Sequence, residues 1–219
     1  MQAVNESKGE LRIEEIDVFC TAALERAKDA DHERTRVPLI GFVFNLLDSA
    51  SPGMRNNFLD HMVDYMLQPH ENRRILGAEY YRKAKNLAAV AVRLAGLKSL
   101  ISKLISDGSN LSEETRPILD VIAEEYEILG ADEDMLLNLF RTAATDAKAD
   151  ESRIIALEYI GRLGRLKSLP AELEESLYNA ARSTKERVSS AALAAMRELK
   201  LRKIPSDVKN KLEALEKPK

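Results

Sequence analysis

The sequence predicts an all-α protein assembled from repeated helix pairs, and three observations lead there. The 219 residues include only nine Gly, seven Pro and no Trp, and are rich in helix-forming Ala, Leu, Glu, Lys and Arg. Apolar residues recur at helical spacing, as in Ile154, Leu157, Ile160 and Leu163, a narrow stripe that is stable only when packed on a neighbour. That stretch also repeats: Ala192, Leu193, Met196 and Leu199 follow Ala156, Leu157, Ile160 and Leu163 after 36 positions, and each copy runs into a basic loop and a proline, Leu169-Pro170 and Ile204-Pro205. Such a chain builds a short α-solenoid whose units bury surface on one another, the alternative being a compact multi-helix bundle. Residues 1–219 are read as one all-helical repeat domain with mobile ends at 1–9 and 217–219.

In chain order, Ser7 and Glu10 have capping-box spacing and predict a first helix running to about Ala30 on a stripe of Leu11, Ile16, Phe19, Ala23 and Leu24. Pro38 fits the first turn of a second helix, with Leu39, Phe42, Val43, Leu46 and Leu47 inward. Ser51-Pro52-Gly53 breaks the chain before a helix bearing Phe58, Met62, Tyr65 and Met66, which Pro69 ends. Between Glu71 and Ser106 no proline intervenes, and a break is placed near Lys85-Asn86. Two internal matches compete here. Arg74-Ile75-Leu76 with Glu79-Tyr80 matches Arg153-Ile154-Ile155 with Glu158-Tyr159 and makes 72–85 the second helix of a pair, whereas Arg93-Leu94 with Leu97 to Leu100 matches Arg162-Leu163 with Leu166 to Leu169.

Asp107 to Asn110 is a loop, and a helix starting near Thr115, with Pro117 in its first turn, carries Ile118, Val121, Ile122, Tyr126 and Leu129 inward and stops at Gly130. A helix from Asp132 to Lys148 buries Met135, Leu136, Leu139, Phe140 and Ala143, and the helix of Arg153 to Pro170 follows. Pro170 opens the helix of Leu173, Leu177 and Ala180; Ser183 and Glu186 suggest a capping box for Val188 to Leu199; and Pro205 opens a last helix with Val208, Leu212 and Leu215. About eleven helices result, five antiparallel pairs and a closing helix.

Carried by Arg153 to Pro170 and Arg187 to Pro205, with weaker echoes at Arg74 to Asn86 and Pro117 to Gly130, this pattern resembles the HEAT-like repeats. The resemblance implies a right-handed stack of antiparallel helix pairs whose second helices line a concave surface that holds a partner. A fold of this kind implies binding and leaves the ligand open.

The residue types argue against catalysis. His32, His61 and His70 are too scattered for a zinc site, and Glu124, Glu125 and Glu127 near Asp120 lack the histidine spacing of di-iron bundles. Gly161 and Gly164 sit near a helix end, where close packing or a cap accounts for them without a phosphate ligand, and no serine or cysteine has a nucleophile's setting. No enzyme activity, cofactor or metal is expected. The tyrosines at 65, 80, 81, 126, 159 and 178 recur on apolar stripes and read as core. Cys20, among Ile16, Phe19 and Ala23, reads as a small buried hydrophobe, and without a disulfide framework or a secretory-type leader a soluble, cytoplasmic protein with no membrane partner is expected.

A net charge of −3 hides a banded distribution: 7 basic and 12 acidic residues in 1–70, 8 and 2 in 71–105, 3 and 13 in 106–152, and 15 and 9 in 153–219. Two basic clusters are the candidate partner-binding residues: Arg73, Arg74, Arg82, Lys83 and Lys85, and then Arg197, Lys200, Arg202 and Lys203. The expected function is a non-enzymatic scaffold that binds a protein or peptide partner, an acidic one fitting these clusters. The alternative is a nucleic-acid-binding protein similar to the HEAT-like DNA glycosylases in size and helix content, although the chain has no Trp and its block at 106–152 is strongly acidic.

Overall fold

The computed structural model describes residues 11–166, 168–197, 199, 201 and 204–216. Among them every regular element is a helix: α1 (Ile13–Asp29), α2 (Glu33–Leu46), α3 (Pro52–Met66), α4 (Glu71–Ala84), α5 (Val90–Ser106), α6 (Arg116–Glu124), α7 (Glu133–Asp146), α8 (Asp150–Leu166), α9 (Ala171–Ala181), α10 (Glu186–Met196) and α11 (Ser206–Glu216), with short 3₁₀ turns between some of them. Among the described residues no helix is long and apolar enough to cross a membrane. The apolar stripes lie inward in almost every element, and Cys20 is fully buried, which pushes its thiol up to about 11.

Several boundaries differ from the sequence expectation for local reasons. The proposed box at Ser7 and Glu10 lies outside the described residues; α1 starts at Ile13, where the Arg12 N–H donates to Glu15 Oε2 at 2.9 Å. Its buried face is Ile16, Cys20, Ala23, Leu24 and Ala27, so Phe19, one step around the helix, is 42% exposed instead of inward. Pro38 is not in the first turn of α2 but at its sixth position, where the only bond it removes is one to the carbonyl of solvent-exposed Arg34. Ser51 behaves as read, its hydroxyl accepting the Met54 N–H at 3.1 Å with Pro52 at the first position of α3. The break after Ala84 falls where it was placed, as a 3₁₀ turn over Lys85–Leu87. The helix from Thr115 does not reach Gly130: α6 ends at Glu124 and passes into 3₁₀ turns at Tyr126–Ile128 and Gly130–Asp132, Gly130 adopting φ +52°. Ser183 and Glu186 form no box, because Lys185 occupies the cap position and donates its N–H to the Ser183 hydroxyl at 3.2 Å.

The chain divides into two compact units, Met1–Leu100 and Ile101–Lys219, the division falling inside α5. In the first unit α1 packs on α2 and α3 on α4, while α1 also meets α3 and α2 meets α4. In the second, α7 packs on α8 and α9 on α10, α7 also meets α9, and α8 meets both α6 and α10. Each unit therefore pairs consecutive helices and lays each pair against the next. This pairing makes α4 and α8 second members, in agreement with the match of Arg74 to Arg153.

Close approach needs small residues. A Cβ on Gly77 of α4 would stand 2.6 Å from the Met62 carbonyl oxygen of α3, and one on Gly161 of α8 would stand 2.9 Å from Ala195 Cβ of α10. Both glycines thus serve helix packing.

A donor recurs at the fourth position of the second helix in each pair, and in three of the four it clamps the preceding helix. The fourth residue of α2, Arg36, donates from Nε to Ala27 O at 3.2 Å and from its terminal nitrogen to Ala30 O, at the end of α1. The fourth residue of α4, Arg74, donates to Pro69 O at 3.1 Å, in the turn between α3 and α4, and the fourth of α8, Arg153, donates from Nε to Ala144 O at 3.1 Å, near the end of α7. In α10 the fourth residue is Ser189, whose hydroxyl donates to Ala181 O at 2.8 Å, joined there by Lys211 Nζ at 2.8 Å. Carbonyls at a helix C-terminus lack intrahelical partners and carry partial negative charge, so donors placed there satisfy them.

Two outcomes test this packing. Gly77→Ala lowers the stability of the first unit by about 1–3 kcal/mol in urea unfolding, because the new methyl must displace backbone and not a flexible side-chain tip. Asp207 receives two hydrogen bonds from Arg182, at 2.7 and 3.0 Å, which hold its carboxyl down to about 2. A depressed folded value contributes stability that is present above the ordinary carboxylate range and is lost as pH falls through about 2. Carbon-detected NMR titration should find the Asp207 carboxyl titrating there and returning to the ordinary range in Arg182→Gln.

Candidate functional site

The second helices α2 and α4 meet along a crevice that opens at their N-terminal ends. At its closed end the Tyr80 hydroxyl approaches Gly41, where a Cβ would lie 3.2 Å away, and the Tyr80 ring packs edge-on against Phe44 with centroids 5.5 Å apart. Towards the helix starts the crevice widens into two adjoining hollows. One, of about 160 Å³, is lined by Glu33, Arg36, Val37, Asn72, Arg73, Ile75, Leu76 and Glu79; the other, of about 320 Å³, adds Asp31, His70 and Glu71. Val37 is 41% exposed and Ile75 46%, so two aliphatic side chains face water beside charged groups.

The charges are layered by burial. Arg36 is 3% exposed and forms the floor, its charge met by the α1 carbonyls and by a hydrogen bond with Tyr65, whose hydroxyl burial pushes upward in pKa against the opposing pull of Arg36 and Arg73. Arg73 is half-buried, and among the described residues its guanidinium has no carboxylate partner. The carboxylates of Asp31, Glu33 and Glu71 stand at the exposed rim. Glu79 is taken by Lys83 at 2.5 Å, and the Lys83 ammonium sits 4.8 Å from the centre of the Tyr80 ring.

Of the first predicted cluster, then, only Arg73 lines the crevice. Arg74 bonds the turn that leads into α4, Lys83 is held by Glu79 and Tyr80, and neither Arg82 nor Lys85 is a free charge. Their positions along α4 point around the helix and do not make one strip. In the second cluster Arg197 caps α10 and is likewise engaged, while Lys200, Arg202 and Lys203 lie outside the described residues.

The remaining sequence candidates are scattered. His32 and His70 occupy the cap positions of α2 and α4, and His61 Nδ1 lies 3.1 Å from Asn57 O. Among the described residues no three His, Cys, Asp or Glu side chains converge as a metal site. Glu124 and Glu127 are exposed but Glu125 is 4% exposed, so these carboxylates share no face. Asp120 instead accepts the Tyr159 hydroxyl at 2.6 Å and Arg162 at 2.7 Å, and burial with this acceptor raises the phenol well above its ordinary value. Together with the Arg116–Glu158 pair at 2.8 Å these contacts tie α6 to α8. The second unit also has a hollow between α8 and α10, floored by Gly161, Ala191, Ala194 and Ala195 and edged by Glu158 and Arg165.

Sequence reading missed the signal that marks the crevice. His32-Glu33-Arg34-Thr35-Arg36 and His70-Glu71-Asn72-Arg73-Arg74 share the pattern His-Glu-x-x-Arg at a separation of 38, and the crevice opens between these two helix starts. Compared with protein-family models and with curated proteins, the chain matches none.

The two arginines of the crevice differ in what they hold. Arg36→Met should lower stability by roughly 2–4 kcal/mol in urea unfolding, since it strands the buried Ala27 carbonyl, the half-buried Ala30 carbonyl and the Tyr65 hydroxyl. Arg73→Gln should change stability by no more than about 0.5 kcal/mol.

Proposed function

We propose that the protein is a non-enzymatic interaction module, a short HEAT-like stack of helix pairs that holds a protein or peptide partner on its second helices. The observation that supports this most is the α2–α4 crevice, where Val37 and Ile75 stay exposed next to Arg73. Exposed aliphatic groups rimmed by charge are the composition of a protein contact surface. The apolar hollow, about 160 Å³, adjoins the charged hollow of about 320 Å³ in one crevice open to solvent, which favours a segment of a larger partner laid across both. The dispersal of Arg74, Lys83 and Arg73 over separate tasks favours a protein partner over the phosphate backbone of a nucleic acid.

The test compares three forms of the full chain as bait in a cell extract with quantitative mass spectrometry. A partner retained by the parent chain and by Val18→Glu, but lost from the double variant Val37→Glu, Ile75→Glu, supports the reading. Val18 is the proper control because it is 66% exposed on α1 and lines neither hollow. Equal recovery on all three baits contradicts the assignment of the crevice.

A further inference from the structure

The crevice is built unevenly, and the unevenness specifies what it takes. Its cations are on the floor and its carboxylates at the rim: Arg36 is buried and Arg73 half-buried, while Asp31, Glu33 and Glu71 are exposed. Charges held in the less polar floor act more strongly than rim charges, which water and salt screen. Arg36 is already committed to Ala27 O, Ala30 O and Tyr65, whereas the guanidinium of Arg73 has no carboxylate among the described residues. The caps of α2 and α4, His32 and His70, supply no side-chain bond to the first-turn N–H groups, so both helix starts turn positive dipole ends toward the same opening. Leu76, three positions after Arg73 and hence on the same side of α4, lines the apolar hollow with Val37 and Ile75.

We propose that this crevice binds an internal protein segment in which an acidic residue adjoins an aliphatic one, the carboxylate pairing with Arg73 and the aliphatic side chain packing on Val37, Ile75 and Leu76. The inference rests on reading the protein as an interaction module and names the chemistry of its partner. The planar fork of an arginine matches a carboxylate through two parallel hydrogen bonds, which gives direction as well as attraction. With Arg36 committed, Arg73 is, among the described residues, the one guanidinium of the crevice left for a ligand. Its fork meets the two oxygens of a single carboxylate, whereas a phosphate presents more acceptor oxygens than that one fork can meet. The aliphatic hollow then sets which acidic segments fit, because a carboxylate without an apolar neighbour leaves Val37 and Ile75 in water.

The probe is a fluorescein-labelled, C-terminally amidated peptide, Gly-Ser-Glu-Leu-Ser-Gly, titrated with the full chain by anisotropy at low and at physiological salt. Comparison peptides replace its Glu by Gln, its Leu by Ser, or its Glu by phosphoserine. The parent chain binds the Glu-Leu peptide best, and each replacement weakens binding. Arg73→Gln weakens the Glu-Leu peptide at least about tenfold and leaves the Gln peptide unchanged, as loss of one charge-assisted pair requires. Arg73→Lys, which keeps the charge but loses the fork, falls between. The proposal is overturned if the probe does not bind, if Glu and Gln peptides bind alike, if Arg73→Gln has no effect, or if phosphoserine binds tighter than Glu. The double variant Val37→Glu, Ile75→Glu separates the two readings. Binding that it abolishes while Arg73→Gln leaves it intact removes the carboxylate and keeps the crevice as an interaction surface.

Discussion

The structure depends on a donor placed four residues into the second helix of each pair. Helices of 9 to 17 residues with a single apolar stripe are marginal alone, and they persist because the stripe is buried against a partner. Burial by itself would let one helix slide along another. Arg36, Arg153 and Ser189 fix the register by reaching the carbonyls that the preceding helix leaves unsatisfied, and Arg74 bonds the turn that joins α3 to α4. The glycines set the distance, since Gly77 and Gly161 admit neighbours where a methyl group would collide. A long arginine can span the pair while its stem covers apolar surface, and this explains why a charged side chain, Arg36, is buried.

The crevice is a consequence of the same clamp. Because Arg36 turns down toward the end of α1, it leaves the upper wall of α2 to Val37 and Glu33, and the facing start of α4 contributes Arg73, Ile75 and Leu76. Adjacent positions on α4 thus have separate duties, Arg74 bonding the turn that leads into α4 and Arg73 remaining at the surface of the crevice. The structural network of the second unit, Asp120 with Tyr159 and Arg162, shows the contrasting case, where the charges meet one another.

Much of this was legible in the sequence. Prolines mark the helix starts at Ser51-Pro52 and Pro170, the break near Lys85-Asn86 falls as inferred without one, and the stripes of α2, α3 and α10 lie inward as read. The misses have physical causes. Pro38 looked like a helix start because its missing N–H is harmless there, but the cost is also small at the sixth position when the orphaned carbonyl faces water. Phe19 looked like core because it is large and apolar, yet the face is set by Ile16, Cys20 and Ala23. The five cations of 73–85 adjoin along the chain, but consecutive helical residues point about 100° apart and meet different neighbours, so of the five Arg73 lines the crevice. His-Glu-x-x-Arg is silent in the sequence because its meaning is not one of local propensity: Arg36 acts on the preceding helix and Arg74 on the turn before its own.

The central claim is that Arg36 is committed within the fold and Arg73 is not. Hydrogen exchange at the arginine Nε–H groups, followed by nitrogen-15 NMR on the free protein, tests it without any ligand. The account predicts slow exchange for Arg36 Nε–H, buried and bonded to Ala27 O, and fast exchange for Arg73. Equal protection of the two would mean that Arg73 already has an internal partner, and the crevice would then have no cation left to offer.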